Sequence, residues 1–298
     1  MGKSKILIIA DVEPWAWGIK SRYLQKHLSD EFDVDICYIN QEPIKKYKDV
    51  YDVYLTYTPA HLKSLEHIDR DRKLTGLTGM PCYNKWFKGK GEFDDRVVGL
   101  HANSEQFRKL MEPMHKKVYY VPNGIDTELF SKQPFVERKN IVAGYVGKPI
   151  AEKGLNNIIK PAIKLAGKKV KVGLKTNISN WKSASLHKSL VDFYKDIDVY
   201  LVASTMDGTP NPALEAAACG RTIISNRIGN MPEFINNGIN GFLVERNIKK
   251  YADKLVFLSQ NKDMVKLMGR RNRKAAEEWD WSIKTDNYRN MFKEVLGL

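Results

Sequence analysis

Long hydrophobic runs are missing from this sequence. No apolar stretch approaches the roughly 18 residues of a membrane-spanning helix, and the longest, such as Lys5–Ala10, are strand-sized. Cysteine is scarce as well. Cys37, Cys82 and Cys219 lie far apart with no C-x-x-C spacing, so neither a disulfide framework nor a zinc site is indicated. Met1-Gly2-Lys3-Ser4 leads directly into a strand without the layout of a secretory signal, and a reducing cytosol is the expectation. The glycine-rich phosphate loops G-x-G-x-x-G and G-x-x-x-x-G-K-[ST] are both missing, which removes the main support for a nicotinamide dehydrogenase or a P-loop ATPase.

Acidic residues are scarce in one half only. Residues 1–130 hold 20 Lys and Arg against 19 Asp and Glu, whereas residues 131–298 hold 29 against 16. The stretch 131–190 alone has 13 basic and 2 acidic residues. Such a field attracts phosphate groups, nucleic acid or an anionic membrane face, or simply solvates a lysine-rich surface. With 298 residues and 43% hydrophobic composition, the chain has enough material for about two domains.

Both halves alternate β-branched or aromatic runs with amphipathic segments. Strands are expected at Lys5–Ala10, Phe32–Ile39, Tyr51–Tyr57, Arg96–Ala102 and Val118–Val121, then at Ile141–Val146, Val170–Leu174, Val199–Ala203, Thr222–Ser225 and Phe242–Val244. Helical patterns cover Lys20–Leu28, Ser104–Met114 (with Ser104 as N-cap), Leu155–Leu165, Pro212–Cys219, Ile248–Leu258 and Lys262–Glu277. The alternation predicts two parallel, doubly wound α/β sheets, joined by a polar linker at Ser131–Arg138. Ligand sites of such folds lie at the carboxyl ends of the strands, so a cleft between two facing domains is the expected place for chemistry.

The most informative segment runs from Ser204 to Gly220. Asn211 reads as an N-cap, Pro212 as the first helical residue and Gly220 as the stop. The loop Gly208-Thr209-Pro210-Asn211 is then expected to present backbone N–H groups and a helix dipole to an anion. Asp207 and Glu215 bracket it, and carboxylates beside a phosphate site suit hydroxyls, as on a ribose or a sugar ring. In the first half, Trp15 and Trp17 occupy the loop after the first strand, where flat rings pack on sugars or bases, and Gly18 opens the helix that follows. A second aromatic segment, Asn84-Lys85-Trp86-Phe87-Lys88-Gly89-Lys90-Gly91, reads as an exposed loop for a lipid interface or for stacked bases.

These residues resemble glycosyltransferase family 4, whose fold is GT-B. The acid Asp207, seven residues, Glu215 and a small-residue helix ending in glycine match its signature. Val121–Phe130 resembles the segment before the domain crossover, and Gly144–Lys148 with Glu152-Lys153-Gly154 resembles the basic pair of the second domain. Asp198–Leu201, Gly229–Glu233 and Trp279-Asp280-Trp281 with the closing helix follow in the family's order. The resemblance implies an acceptor-side domain over 1–133, a nucleotide-sugar domain over 134–280 and a terminal helix over 281–298 that packs back onto the first.

The resemblance further implies a retaining, metal-independent hexosyl- or pentosyltransferase. Its donor would be a UDP- or GDP-type sugar, and its acceptor a hydroxyl on a glycan, a lipid-linked precursor or a protein. Lys148 and Lys153 match the residues that neutralise the diphosphate, Glu215 the ribose ligand and Asp207 the residue that orients the sugar, where the family usually has Glu. Gly18 and Gly208–Asn211 complete the donor set. No histidine stands in the comparable loop Leu77–Pro81, which leaves His101 and His61 as candidates in the first domain. Three other readings stay open: a transferase for hydroxylated bases of DNA, a nucleotide-sugar epimerase, and a non-catalytic sugar-nucleotide binder. A cytoplasmic protein, peripheral at the inner membrane face if the Trp86-Phe87 loop meets lipid, is the expected location.

Overall fold

The computed structural model describes residues 2–13, 15–47, 50–89, 93, 95–175 and 184–298. The chain divides into two compact units, residues 1–124 with 281–298, and residues 125–280. The crossover thus falls at Gly124–Ile125, ahead of the polar stretch at Ser131–Arg138. Phe130 in that interval is buried in the core of the second unit, together with Ile125 and Trp279.

The first unit contains β1 (Lys5–Ala10), α1 (Ala16–Leu28), β2 (Asp33–Tyr38), β3 (Val53–Thr56), β4 (Lys73–Leu77), α2 (Met80–Cys82), β5 (Gly99–Ala102), α3 (Glu105–Met111) and β6 (Val118–Tyr120). The strands pair in parallel in the order β2-β1-β3-β4-β5-β6. The run Ile6–Ala10 is apolar throughout because both faces of the sheet are covered. Ile6, Ile8 and Ala10 join Leu24 and Leu28 of α1 with Tyr288 and Phe292 of the closing helix Trp281–Leu296, whereas Leu7 and Ile9 pack with Cys37, Tyr54 and Leu65.

The second unit contains β7 (Ile141–Val146), α4 (Lys160–Ala166), β8 (Val170–Lys175), α5 (Ala184–Lys195), β9 (Val199–Val202), α6 (Asn211–Ala218), β10 (Thr222–Ser225), α7 (Met231–Phe234), β11 (Gly241–Leu243), α8 (Ile248–Gln260) and α9 (Lys262–Glu277). Its parallel order is β11-β10-β9-β7-β8. Both sheets reverse direction beside their first strand. The switch points lie between β1 and β3 and between β7 and β9, where open α/β sheets bind ligands at their carboxyl ends.

Most expected elements are present with ends shifted by a few residues. Ser104 caps α3, its Oγ accepting from Phe107 N at 3.3 Å. The expected helix Leu155–Leu165 is instead a π turn, Leu155–Ile159, followed by α4, which restarts at Lys160-Pro161 because proline carries no N–H. Strand β4 escapes the sequence pattern because Thr75 and Gly76 dilute it. Gly76 leaves room for a ring on the neighbouring strand: a Cβ there would lie 2.0 Å from His101 Cε1.

The core of the second unit is held by a buried arginine. Arg221, 1% exposed, donates to the carbonyls of Cys219 (3.0 Å), Ile197 (3.2 Å), Gln133 (2.7 Å) and Pro134 (3.1 Å). Removing the guanidinium strands these acceptors away from water. Arg221→Met is therefore expected to cost about 3 kcal/mol or more in urea unfolding. A loss under about 1 kcal/mol would show that water replaces the side chain readily.

Candidate functional site

The connections that follow β7 and β9 clasp one another at the switch point of the second sheet. Thr205 N donates to Glu152 O at 2.8 Å, and Arg246 bridges both loops, to Ala203 O at 2.7 Å and to Ala151 O at 3.2 Å. The approach is so close that only glycine fits at position 154. Its φ is +80°, and a Cβ would lie 2.3 Å from Ala203 O. Gly229, at φ +53°, lets the β10–α7 loop approach in the same way, with a Cβ placed 2.1 Å from Gly208 O. Asn230 N then donates to that same oxygen at 2.9 Å.

Within this clasp the structure brings Lys153 and Asp207 together. Lys153 Nζ donates to Asp207 Oδ1 at 2.5 Å, and both side chains are half-buried. Lys148 stands exposed in the same β7–α4 connection, its carbonyl accepting from Tyr145 Oη at 2.8 Å. Glu215 lies in α6 and accepts from Tyr194 Oη at 2.6 Å. Burial raises its pKa from the ordinary 4.5 to about 7, against the smaller opposing effect of the tyrosine bond. A carboxyl so poised offers one oxygen to a ligand hydroxyl while the tyrosine orients the other.

The helix start differs from the expectation. Asn211 is the first residue of α6, not its cap; Pro210 occupies the cap position and makes no side-chain bond. The N–H of Asn211 donates to Thr209 O at 2.9 Å, and that of Ala213 to Pro210 O at 2.8 Å. Pro210 and Pro212 have no N–H at all. Two of the four positions Gly208–Asn211 therefore offer no open N–H, and the lysines and the helix dipole share the attraction for an anion. Gly208 itself is buried beneath Gly229.

At the switch point of the first sheet, Gly18 lies in the first turn of α1, where a Cβ would meet Val12 O at 2.3 Å. It therefore seats the helix against the β1 loop. Trp15 is 53% exposed. Trp17 is half-buried, 5.8 Å from the Tyr57 ring and edge-on to His61 at 6.1 Å. His61 Nδ1 is buried without a partner among the described residues, and burial lowers the pKa of the ring.

Two candidates from the sequence are corrected. His101 is not an open catalytic residue. It is 1% exposed, its Nε2 bonds Thr56 O at 2.9 Å, and burial, reinforced by Lys20, depresses its pKa to about 3. Phe87 is not on an exposed loop either. Residues Tyr83–Phe87 form a π turn, and Phe87 is fully buried, 5.0 Å from the Phe93 ring, in the core with Leu77, Leu100 and Phe107. Lysines on either side concealed this apolar anchor. Trp86 is half-buried beside it, and Lys90 and Gly91 of that segment lie outside the described residues.

Other residues of these sites carried no signal. Tyr194 lies in α5, a helix that the hydrophobic pattern did not show. Asn230 is fully buried with neither side-chain polar atom partnered among the described residues. Lys20 is buried with Nζ over the rings of Tyr57 (4.9 Å) and Tyr288 (5.1 Å), and burial lowers its pKa to about 7. Among the described residues no group of three His, Cys, Asp or Glu is placed to hold a metal ion. No described helix is long and apolar enough to cross a membrane.

Comparison with known proteins places these features. Residues 141–261 match the family described as "Glycosyl transferases group 1", a span that contains the whole β7–β9 clasp. A D-inositol 3-phosphate glycosyltransferase of Saccharomonospora viridis is 27% identical over 111 residues, which are 37% of this chain and 26% of that protein. The N,N'-diacetylbacillosaminyl-diphospho-undecaprenol alpha-1,3-N-acetylgalactosaminyltransferase of Campylobacter jejuni is 23% identical over 183 residues, 57% of this chain and 48% of the relative. The chain thus spans about half or less of the length of these two curated relatives. Among solved structures, sucrose-phosphate synthase of Thermosynechococcus elongatus superposes with a TM-score of 0.78 at 14% identity, covering 99% of this chain and all of that one. Anabaena HepE in complex with UDP and glucose gives 0.71 at 14% identity, over 97% and 99% of the two chains. The chain thus has two parallel-sheet Rossmann-like units with the fold of these solved structures, and residues 141–261 of its second unit match the glycosyl transferase group 1 family.

The raised pKa of Glu215 has a consequence for stability. The folded state favours the protonated acid, so stability falls as pH rises from the ordinary carboxylate range through about 7. Glu215→Gln keeps an acceptor for Tyr194 without the charge. It is expected to raise stability by about 1–3 kcal/mol at about pH 8 and to change little near pH 4.5. Urea titrations at the two pH values check this, and equal effects at both would contradict it.

Proposed function

We propose that this protein is a retaining glycosyltransferase that moves a sugar from a nucleotide-diphosphate sugar to a hydroxyl acceptor. The observation that carries the reading is the meeting of Lys153 and Asp207, with Glu215 on the adjoining helix, at the β7–β9 switch point. A structure similar to this one, HepE, is seen with UDP and glucose, and the pneumococcal O-GlcNAc transferase GtfA with UDP and GlcNAc. Both support a UDP-type donor. The Campylobacter relative is named for an acceptor on diphospho-undecaprenol, which supports a lipid-linked or glycan acceptor.

In this reading Lys148 and Lys153 face the diphosphate. As the anomeric C–O bond breaks, the bonding pair leaves with the phosphate oxygen, and the lysines stabilise the charge that builds there. Glu215 accepts from ribose hydroxyls, with Tyr194 holding its other oxygen. Asp207 accepts from hydroxyls of the transferred sugar and keeps Lys153 extended until phosphate arrives. The acceptor hydroxyl attacks the anomeric carbon and gives up its proton to the departing diphosphate, so no pair of catalytic carboxylates is required. Trp15 and Trp17 offer ring surface to the acceptor.

Lys153→Ala removes a charge-assisted contact and is expected to weaken UDP binding about 10- to 100-fold with the circular dichroism spectrum unchanged. UDP affinity equal to wild type, by calorimetric titration, would remove Lys153 from the donor site. Because two lysines carry the leaving-group charge, transfer is expected to survive excess EDTA. Complete loss, restored by Mg²⁺ or Mn²⁺, would assign that charge to a metal instead.

A further inference from the structure

A groove of about 670 Å³ opens in the first unit, between the turn Pro59–Leu65, the π turn Tyr83–Phe87 and residues just ahead of β5. Its volume is that of a small-ligand site. Four cations line it: Lys63, Lys73, Lys85 and Arg96. Among the described residues Lys63, Lys85 and Arg96 make no ion pair. Lys85 Nζ rests over the Trp86 ring at 5.1 Å, Arg96 lies over Phe93 at 5.2 Å, and Lys73 Nζ reaches only the carbonyl of Leu65 at 3.3 Å. Lys73 also faces the carboxylates of Glu66 and Asp69, so the positive charge left for a ligand is mainly that of Lys63, Lys85 and Arg96.

The rest of the lining narrows the ligand's chemistry. Trp86 is half-buried and turns part of an indole toward the groove. Glu66 and Asp95, both exposed, stand in the same wall. Carboxylates accept hydrogen bonds from hydroxyls and repel a ligand charged at every unit. A nucleic acid strand wants the opposite, a continuous basic track with several stacking rings. A sugar ring offers a C–H face for the indole, hydroxyls for the two acids and, if substituted, an anionic group for the lysines.

We propose that this groove binds a saccharide unit bearing a phosphate or carboxylate group. Its role as an acceptor site rests on the glycosyltransferase reading above; the binding itself does not.

The test is calorimetric titration of the full chain with pentamannose phosphate, an aldopentaouronic acid carrying a single carboxylate, neutral mannopentaose and single-stranded oligo-dT. Wild-type protein is expected to bind one or both anionic saccharides at least about tenfold more tightly than the neutral one. The Lys63→Glu, Arg96→Glu double variant, altered only at exposed positions, is expected to lose about tenfold or more of that affinity while binding UDP as wild type does. The better of the two probes identifies the charged group. The milder Lys63→Ala, Arg96→Ala pair carries the same comparison if the charge reversal disturbs folding. Equal affinity for the neutral pentaose, unchanged binding by both double variants, or tighter binding of oligo-dT than of either anionic saccharide would each overturn the proposal. Failure of wild-type protein to bind UDP, with anionic saccharide binding intact, would instead remove the donor reading and leave the groove standing.

Discussion

The second unit is organised around the ion pair between Lys153 and Asp207. The pair joins two loops that leave adjacent parallel strands on either side of the switch point, and it forms only because their backbones press together. Gly154 permits that approach, Gly229 lets the β10–α7 loop close on Gly208 beside it, and Arg246 ties the two loops from the side. A side chain at position 154 would push the two loops apart and take the pair with it. Half-buried charge of this kind differs from the exposed pairs that decorate the surface, such as Lys249–Asp253, because fewer waters compete for it. A phosphate arriving at Lys153 meets a cation already extended and oriented.

The two units use the same sheet order for different environments. At the β7–β9 switch point the side chains are charged and hydrogen-bonding. At the β1–β3 switch point they are aromatic, with Trp17, Tyr57 and His61 in contact and Lys20 sealed among rings. His101 belongs to the same buried surroundings. Its ring fills the space left by Gly76 between two central strands, beside a lysine that already lacks solvent.

Legibility in the sequence followed local chemistry. Strands buried on both faces, such as Lys5–Ala10 and Ile141–Val146, declare themselves as unbroken apolar runs, and the cap at Ser104 is a short-range signal. Asp207 and Glu215 stood out because they bracket the α6 start, a local pattern, whereas Lys153 stood out only through the resemblance of Glu152-Lys153-Gly154. Features that depend on distant partners did not. Nothing near Glu215 announces Tyr194, nothing near Gly76 announces His101, and the lysines flanking Phe87 made a core anchor look like a surface loop. The two prolines at the start of α6 were visible, yet their joint effect on the amide donors emerges only when Asn211 and Ala213 are seen bonded within the turn.

The central claim is that the clasp between the β7 and β9 loops is the seat of a nucleotide diphosphate. A crystal structure of the full chain with UDP tests it most directly. The account predicts the β-phosphate within hydrogen-bond distance of Lys153 Nζ, with the ribose hydroxyls on the Glu215 carboxylate. Well-ordered UDP bound elsewhere, with the Lys153–Asp207 pair undisturbed, would contradict it.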